Sequence, residues 1–251
     1  MAVLCSFFLM NIIASAADTS AYRSNISLML HGQAIMPVSA SMRGTIDEFI
    51  RDLSTDYNNK RYPFSTAEID LAIGGDIALA YSIPNEQFGI YGGVAFNMLR
   101  TVSYYNGRYN EALMRLWSVN IGAEYYFLPH HSLLNPFIRG GLSASMINGR
   151  TLYGFGFFGS FETRVPAEGR IGFTTEAGLH CMLPGSALGI ELSLAYFNAN
   201  LIGKSYTTPM VKPNSDLPER SLNDAANPLN SNDKDRTIDM LLFRLGCRLW
   251  L

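Results

Sequence analysis

Eight stretches of this chain alternate bulky apolar residues with small or polar ones: Asn25–Met36, Glu68–Tyr81, Phe88–Leu99, Leu116–Phe127, Phe137–Ile147, Ile171–Met182, Ala187–Ala199 and Met240–Leu251. Alternation at period two marks β-strands, because successive side chains point to opposite faces. Each stretch runs for about ten to fourteen residues. Strands of globular proteins average roughly 5–6 residues, whereas a tilted strand crossing a bilayer core needs ~9–11. The links also alternate. Those after the second, fourth and sixth stretches are "SIPNEQ", "LPHHSLLNP" and "LPGS", all short and all containing proline. The other links are long, at about 37–67, 100–115, 148–170 and 201–237. An even number of strands with this rhythm predicts an antiparallel up-and-down arrangement with both termini on the short-turn side.

The two parities differ in chemistry. One carries Ile73, Ile77, Leu79, Ile90, Val94, Trp117, Val119, Ile121, Leu179, Phe243, Leu245 and Leu249, with no charge among them. The other is mostly Gly, Ala and Ser with scattered ionised side chains: Asp76, Glu124, Arg139, Glu176, Glu191, Arg244 and Arg248. A water-soluble barrel places bulky residues inside and long polar ones outside. Here the polar parity is too small for an outer surface and suits a narrow lumen, where eight strands leave room only for side chains. The apolar parity suits lipid, which cannot solvate a charge. Glu191, flanked by Ile190 and Leu192 in "ALGIELSLAYF", is therefore expected inside the barrel with the leucines outside.

Composition agrees with an all-β chain and removes several classes. Charged residues make up 16% of the 251 residues, and the formal net charge is −2. No basic surface is implied, so nucleic acid is not an expected partner. Beyond the N-terminus no apolar run approaches the ~18–20 residues of a spanning helix. The N-terminal "AVLCSFFLMNIIASA" reads as a signal peptide over 1–16, with Ala14-Ser15-Ala16 as a small-residue cleavage site, leaving 17–251 as one barrel domain. Cys5 would leave with it. Cys181 and Cys247 remain, both on the apolar parity of strands separated by a third. That spacing argues for free thiols.

The eight alternating stretches, the turn rhythm and the ending "LLFRLGCRLWL" resemble the small bacterial outer-membrane barrels of the OmpA/OmpX type. In that group the last strand typically ends in an aromatic preceded by apolar residues at every second position. Leu241, Phe243, Leu245, Cys247, Leu249 and Leu251 keep the spacing, with leucine last and Trp250 one place off. The resemblance implies an outer-membrane location, contact with outer-membrane lipids, handling by the barrel-insertion machinery, and a monomer.

Inward charges are the main candidates for chemistry. Counting from the short turns places Arg139 beside Glu124, Arg244 near Glu191 and within reach of Asp76, and Glu176 and Arg248 at neighbouring levels. A charge in a narrow lumen requires a partner, so these seven residues read as a salt-bridge plug. A gate or a catalytic carboxylate pair is the sharper alternative. His31 and His180 read as hydrogen-bonded lumen filler. "PHHS" (129–132) puts a His beside a Ser, as outer-membrane lipid-modifying hydrolases require, but in a short turn away from the outer leaflet. His130 and His131 lack a third metal ligand at useful spacing. "TIDEFIRDL" (45–53) has a capping box and helical spacing in the first long link. "LYGFGFFGSF" (152–161) reads as strand extension or a sticky tip. No cofactor is implied. The function expected is a structural or interaction role with displayed surface loops and a closed lumen. A lipid-modifying enzyme and a narrow solute channel are the alternatives.

Overall fold

The computed structural model describes residues 25–37, 68–84, 86–105, 108–129, 132–154, 160–202 and 238–251. Eight strands form: β1 (Ile26–Pro37), β2 (Glu68–Ser82), β3 (Phe88–Tyr105), β4 (Arg108–Tyr126), β5 (Leu134–Gly154), β6 (Ser160–Met182), β7 (Leu188–Ile202) and β8 (Asp239–Trp250). Each pairs antiparallel with the next, and β8 returns to β1 from Ser27↔Trp250 to Pro37↔Met240, closing a barrel. Closure leaves the barrel wall without a free sheet edge, although β6 from Ser160 to Arg170 rises beyond its last described β7 partner. The expected leader (1–16), the helix over 45–53, the His130–His131 pair and most of the last long link (203–237) lie outside the described residues.

Two of the expected long loops are mostly strand. β3 and β4 stay paired to Tyr105↔Arg108, so the link expected over 100–115 shrinks to positions 106 and 107. Their sequence, Asn-Gly, is the strongest short-range hairpin signal. Likewise β5 and β6 pair out to Gly154↔Ser160, within the link expected over 148–170. The flanks of "LYGFGFFGSF" are therefore strand extension. Positive charges and tyrosines in these segments broke the apolar alternation, but backbone pairing beyond the barrel wall does not need an apolar face.

The short links follow their turn chemistry. In "IPNEQF" and "LPGSAL", Ile83 N–H donates to Phe88 O at 2.9 Å and Leu183 N–H to Leu188 O at 3.0 Å, closing both hairpins alike. Proline follows the first residue of each, where its fixed φ suits position i+1 of a turn. Gly185 adopts φ +70°, a conformation open to glycine at little cost. The longer link between β4 and β5 is tied by Asn135, whose amide donates to Leu128 O at 2.8 Å and accepts from Leu128 N–H at 3.0 Å.

Parity resolves as expected along most of the wall. Glu191 is fully buried while Leu192 is 61% exposed, and Ile121 reaches 68%. Trp250 points inward and is buried, so Leu251 holds the outward place at the chain's end. The loop-side half departs from expectation. There the inward positions are apolar too: Ile35, Leu99, Leu116, Ile147, Phe197, Met240 and Leu242 pack into one cluster inside the barrel. The sequence signal is loss of alternation at Met98-Leu99, Leu116-Trp117, Met146-Ile147 and Met240–Phe243, since strands apolar on both faces read as continuous runs.

Ile190 is the register partner of both Cys181 on β6 and Cys247 on β8. The two thiols are thus two strand spacings apart, roughly 9–10 Å, beyond the ~7 Å Cα limit for a disulfide; both are free. Alkylation and intact-mass measurement of the native protein should find two free thiols. Ile190→Cys, by contrast, should crosslink to one neighbour on mild oxidation. A native Cys181–Cys247 bridge would contradict the strand order.

Candidate functional site

The chemistry-bearing side chains converge in the short-turn half of the lumen. Inward parity carries them there from seven strands: His31 on β1, Asp76 on β2, Glu124 on β4, Arg139 on β5, Glu176 and His180 on β6, Glu191 on β7, and Arg244 and Arg248 on β8. All but Arg244 are buried. Small residues make the space. A Cβ at Gly246 would collide with the His31 ring, one at Gly189 with the His180 ring, and one at Gly89 with the Glu124 carboxylate.

Arg139 is the hub. The register runs Glu124↔Arg139↔Glu176 across β4, β5 and β6. Its Nε donates to Glu124 Oε2 at 2.9 Å, its Nη1 to Glu176 Oε1 at 3.4 Å, and its Nη2 to both oxygens of Glu191 at 2.8 Å. The Phe137 ring lies 4.1 Å from its guanidinium carbon. Arg248 takes Glu124 from the opposite side with a two-pronged contact, Nη2 to Oε1 at 2.6 Å and Nη1 to Oε2 at 3.0 Å. It also donates to Ser27 Oγ at 2.7 Å and to the Tyr126 hydroxyl. Arg244 bonds Asp76, and its Nη1 reaches Glu176 Oε2 at 2.5 Å. Paired forks of this kind are the stronger charge-assisted bonds.

His31 links the two ends of the network. Its Nδ1 lies 2.9 Å from Asp76 Oδ1 and its Nε2 2.9 Å from Glu191 Oε2. A neutral imidazole has one N–H, so two carboxylate contacts require one further proton, on the ring or on a carboxyl. That proton balances the layer: four carboxylates (Asp76, Glu124, Glu176, Glu191) face three guanidiniums (Arg139, Arg244, Arg248). Beneath lie Tyr126, Phe137 and Trp250, with the His180 ring edge-on to Trp250 at 5.0 Å. A cavity of about 30 Å³ opens beside Asp76, Asn120, Thr174 and Arg244. That is room for a bridging water or two.

The seven residues read from the sequence therefore do meet, with some partners exchanged. Arg139–Glu124 and Arg244–Asp76 form as expected. Arg244 does not pair with Glu191. On β7 and β8 Glu191 lies opposite Gly246 and Arg244 opposite Ser193, one inward position apart, and Glu191 is held by Arg139 and His31 instead. Nor does Arg248 pair with Glu176, which takes Arg244, Arg139 and the Ser193 hydroxyl at 2.5 Å. Sequence counting compares neighbouring strands, whereas these side chains reach across the lumen. His31 proved to be a full member, and its inward parity was the available signal. Among the described residues no group of three or more His, Cys, Asp or Glu is placed to hold a metal ion.

No protein-family model matches this chain, and no curated protein matches it. Among solved structures, the chain is similar to Neisserial surface protein A, with 10% identity, TM-score 0.48, and coverage of 92% of this chain and 100% of that one. It is also similar to the outer membrane protein OprG from Pseudomonas aeruginosa, at 10% identity and TM-score 0.47, covering 92% of this chain and 98% of that one. A third is Ail, the attachment invasion locus protein of Yersinia pestis, at 13% identity and TM-score 0.39, covering 89% and 96%.

Removing one partner of a buried pair leaves the other charge uncompensated. Arg139→Met should cost roughly 3–5 kcal/mol of unfolding free energy in denaturant titrations. Combining it with Glu191→Gln should cost less than the sum of the single changes. Glu191→Gln should couple far less to Arg244→Met; equal coupling in the two cycles would refute the pairing.

Proposed function

We propose that this chain is a bacterial outer-membrane β-barrel with both termini in the periplasm, a lumen closed by ion pairs, and a structural or interaction role exercised through its long links. The carrying observation is the inverted distribution of side chains. Glu191 and Arg248 have no exposed surface, while Val119, Ile121, Leu192 and Leu245 are each at least 59% exposed. In water a contiguous apolar wall of this extent would drive association. In a bilayer it is the face lipid requires.

The dimensions support the same reading. From Trp117 on β4 to Phe127, the first residue past its end, the outward positions span the ~9–11 residues a tilted strand needs to cross. Aromatic rings close both ends of the band. Phe96 and Trp117 lie 4.5 Å apart at the loop side, and Tyr125 and Phe127 5.4 Å apart at the turn side. Aromatic girdles at both interfaces are the usual companions of such a band. Within the membrane-spanning wall the closed sheet offers no edge for strand pairing with another copy, which supports a monomer whose immediate partners are outer-membrane lipids and, during assembly, the insertion machinery. The stacked lumen layers support a closed barrel rather than a solute channel.

Membrane fractionation with heat-modifiable gel mobility tests the location: the folded protein should run differently from the boiled one and stay with outer membranes. Leu192→Arg should destabilise the barrel by about 2–4 kcal/mol if that position meets the bilayer midplane. Normal folding of this variant in detergent-free buffer would leave a soluble barrel. Protease added to intact cells should cut between Ser205 and Asp235. Cutting only after the outer membrane is opened would reverse the orientation.

A further inference from the structure

Just beyond the loop-side aromatic pair, the outer wall changes abruptly from apolar to cationic. On β4 the outward parity runs Ile121, Val119, Trp117 and then Arg115, which is exposed. One outward position further, Leu113 is flanked in register by Arg100 on β3 and Arg150 on β5. Leu113 is nevertheless buried, at 8% exposure, as expected where long arginine stems lie over an apolar neighbour. Glu111, next along β4, draws the two arginines together. Arg100 Nη2 lies 3.1 Å from its Oε2, and Arg150 Nη2 lies 3.7 Å from its Oε1.

We propose that Arg100, Arg115 and Arg150 form a site on the outer wall for the phosphate group of an anionic lipid in the leaflet on the long-link side. The site rests on the membrane reading above, because the aromatic pair Phe96–Trp117 sets the level at which headgroups begin. Among the described side chains, three guanidiniums gather around one carboxylate at that level, with Arg115 and Arg150 exposed. Glu111 contributes order as well as charge. By engaging one Nη of each arginine it converges two flexible side chains, roughly 9–10 Å apart at their backbones, on one point. Arginine is suited to this ligand, since its planar fork matches phosphate geometry in a way an ammonium does not. A phosphate seated beside Arg115 would meet all three cations while its acyl chains lay along Trp117, Val119 and Ile121, the exposed apolar ridge directly below. That continuity of charge and grease favours a lipid over a soluble anion.

The test uses the whole protein in phosphatidylcholine vesicles with spin-labelled phosphatidic acid or spin-labelled phosphatidylcholine as the reporter. The wild type should retain phosphatidic acid preferentially at its wall. Arg115→Gln and Arg150→Gln, each checked for heat-modifiable mobility, should each lower that preference roughly fivefold, the equivalent of about 1 kcal/mol per cationic residue near a charged surface. Equal retention of both lipids by the wild type, or unchanged preference in both variants, overturns the site. So does full competition by inorganic phosphate at matched concentration, which would show a general anion site. Failure of the wild type to enter vesicles of either composition is a different outcome, and it removes the membrane reading itself.

Discussion

A charge sealed in a narrow lumen has to find its counter-charge within side-chain reach. The arrangement around Arg139 meets that demand with three carboxylates drawn from β4, β6 and β7. Unpaired, each buried ion would cost several kcal/mol. Paired across the lumen, the same ions tie strands that are not neighbours in the sheet. Arg248 on β8 binds Glu124 on β4, and Arg244 on β8 binds Asp76 on β2. Backbone hydrogen bonds hold each strand to the next; these bonds hold opposite walls together. Glycines such as Gly189 and Gly246 are part of the same solution, because a methyl group there would occupy the histidine's place.

The lumen is stratified. Aromatic rings and small hydroxyls lie beneath the ion pairs, and an apolar cluster lies above them. An ionic layer between two drier ones sits in a low-dielectric surrounding, which strengthens its hydrogen bonds and raises the penalty for breaking them. Outside, the wall carries the residues a water-soluble protein would hide. Interior and exterior are therefore coupled: the apolar parity can face outward only because the inward parity satisfies its own charges.

Much of this was legible in the residues. The number and order of the strands, the side each parity faces along the middle of the wall, and the free state of Cys181 and Cys247 all follow from period-two alternation and the spacing of turns. So does the membership of the charged set, since each of the seven lies on the inward parity of its strand. Two errors had physical causes. The hairpins beyond Leu99 and Ile147 were hidden because strands that rise past an apolar band have no reason to alternate, although Asn106-Gly107 marked one tip. The inner apolar cluster was hidden because a residue pair such as Met240-Leu241 shows the same hydrophobicity whichever of the two points inward.

By itself the sequence determined the periodicity, and periodicity decides which residues share a face and which face carries the charges. It could not determine who meets whom across that space. Glu191 follows Arg139 by more than fifty residues and has Arg244 on the neighbouring strand, yet it bonds Arg139 and His31. The stagger of eight strands around the barrel sets which levels face one another, and that stagger is a property of the closed sheet. Only the tertiary structure fixes it, because the cross-lumen distances exist only once β8 has paired with β1.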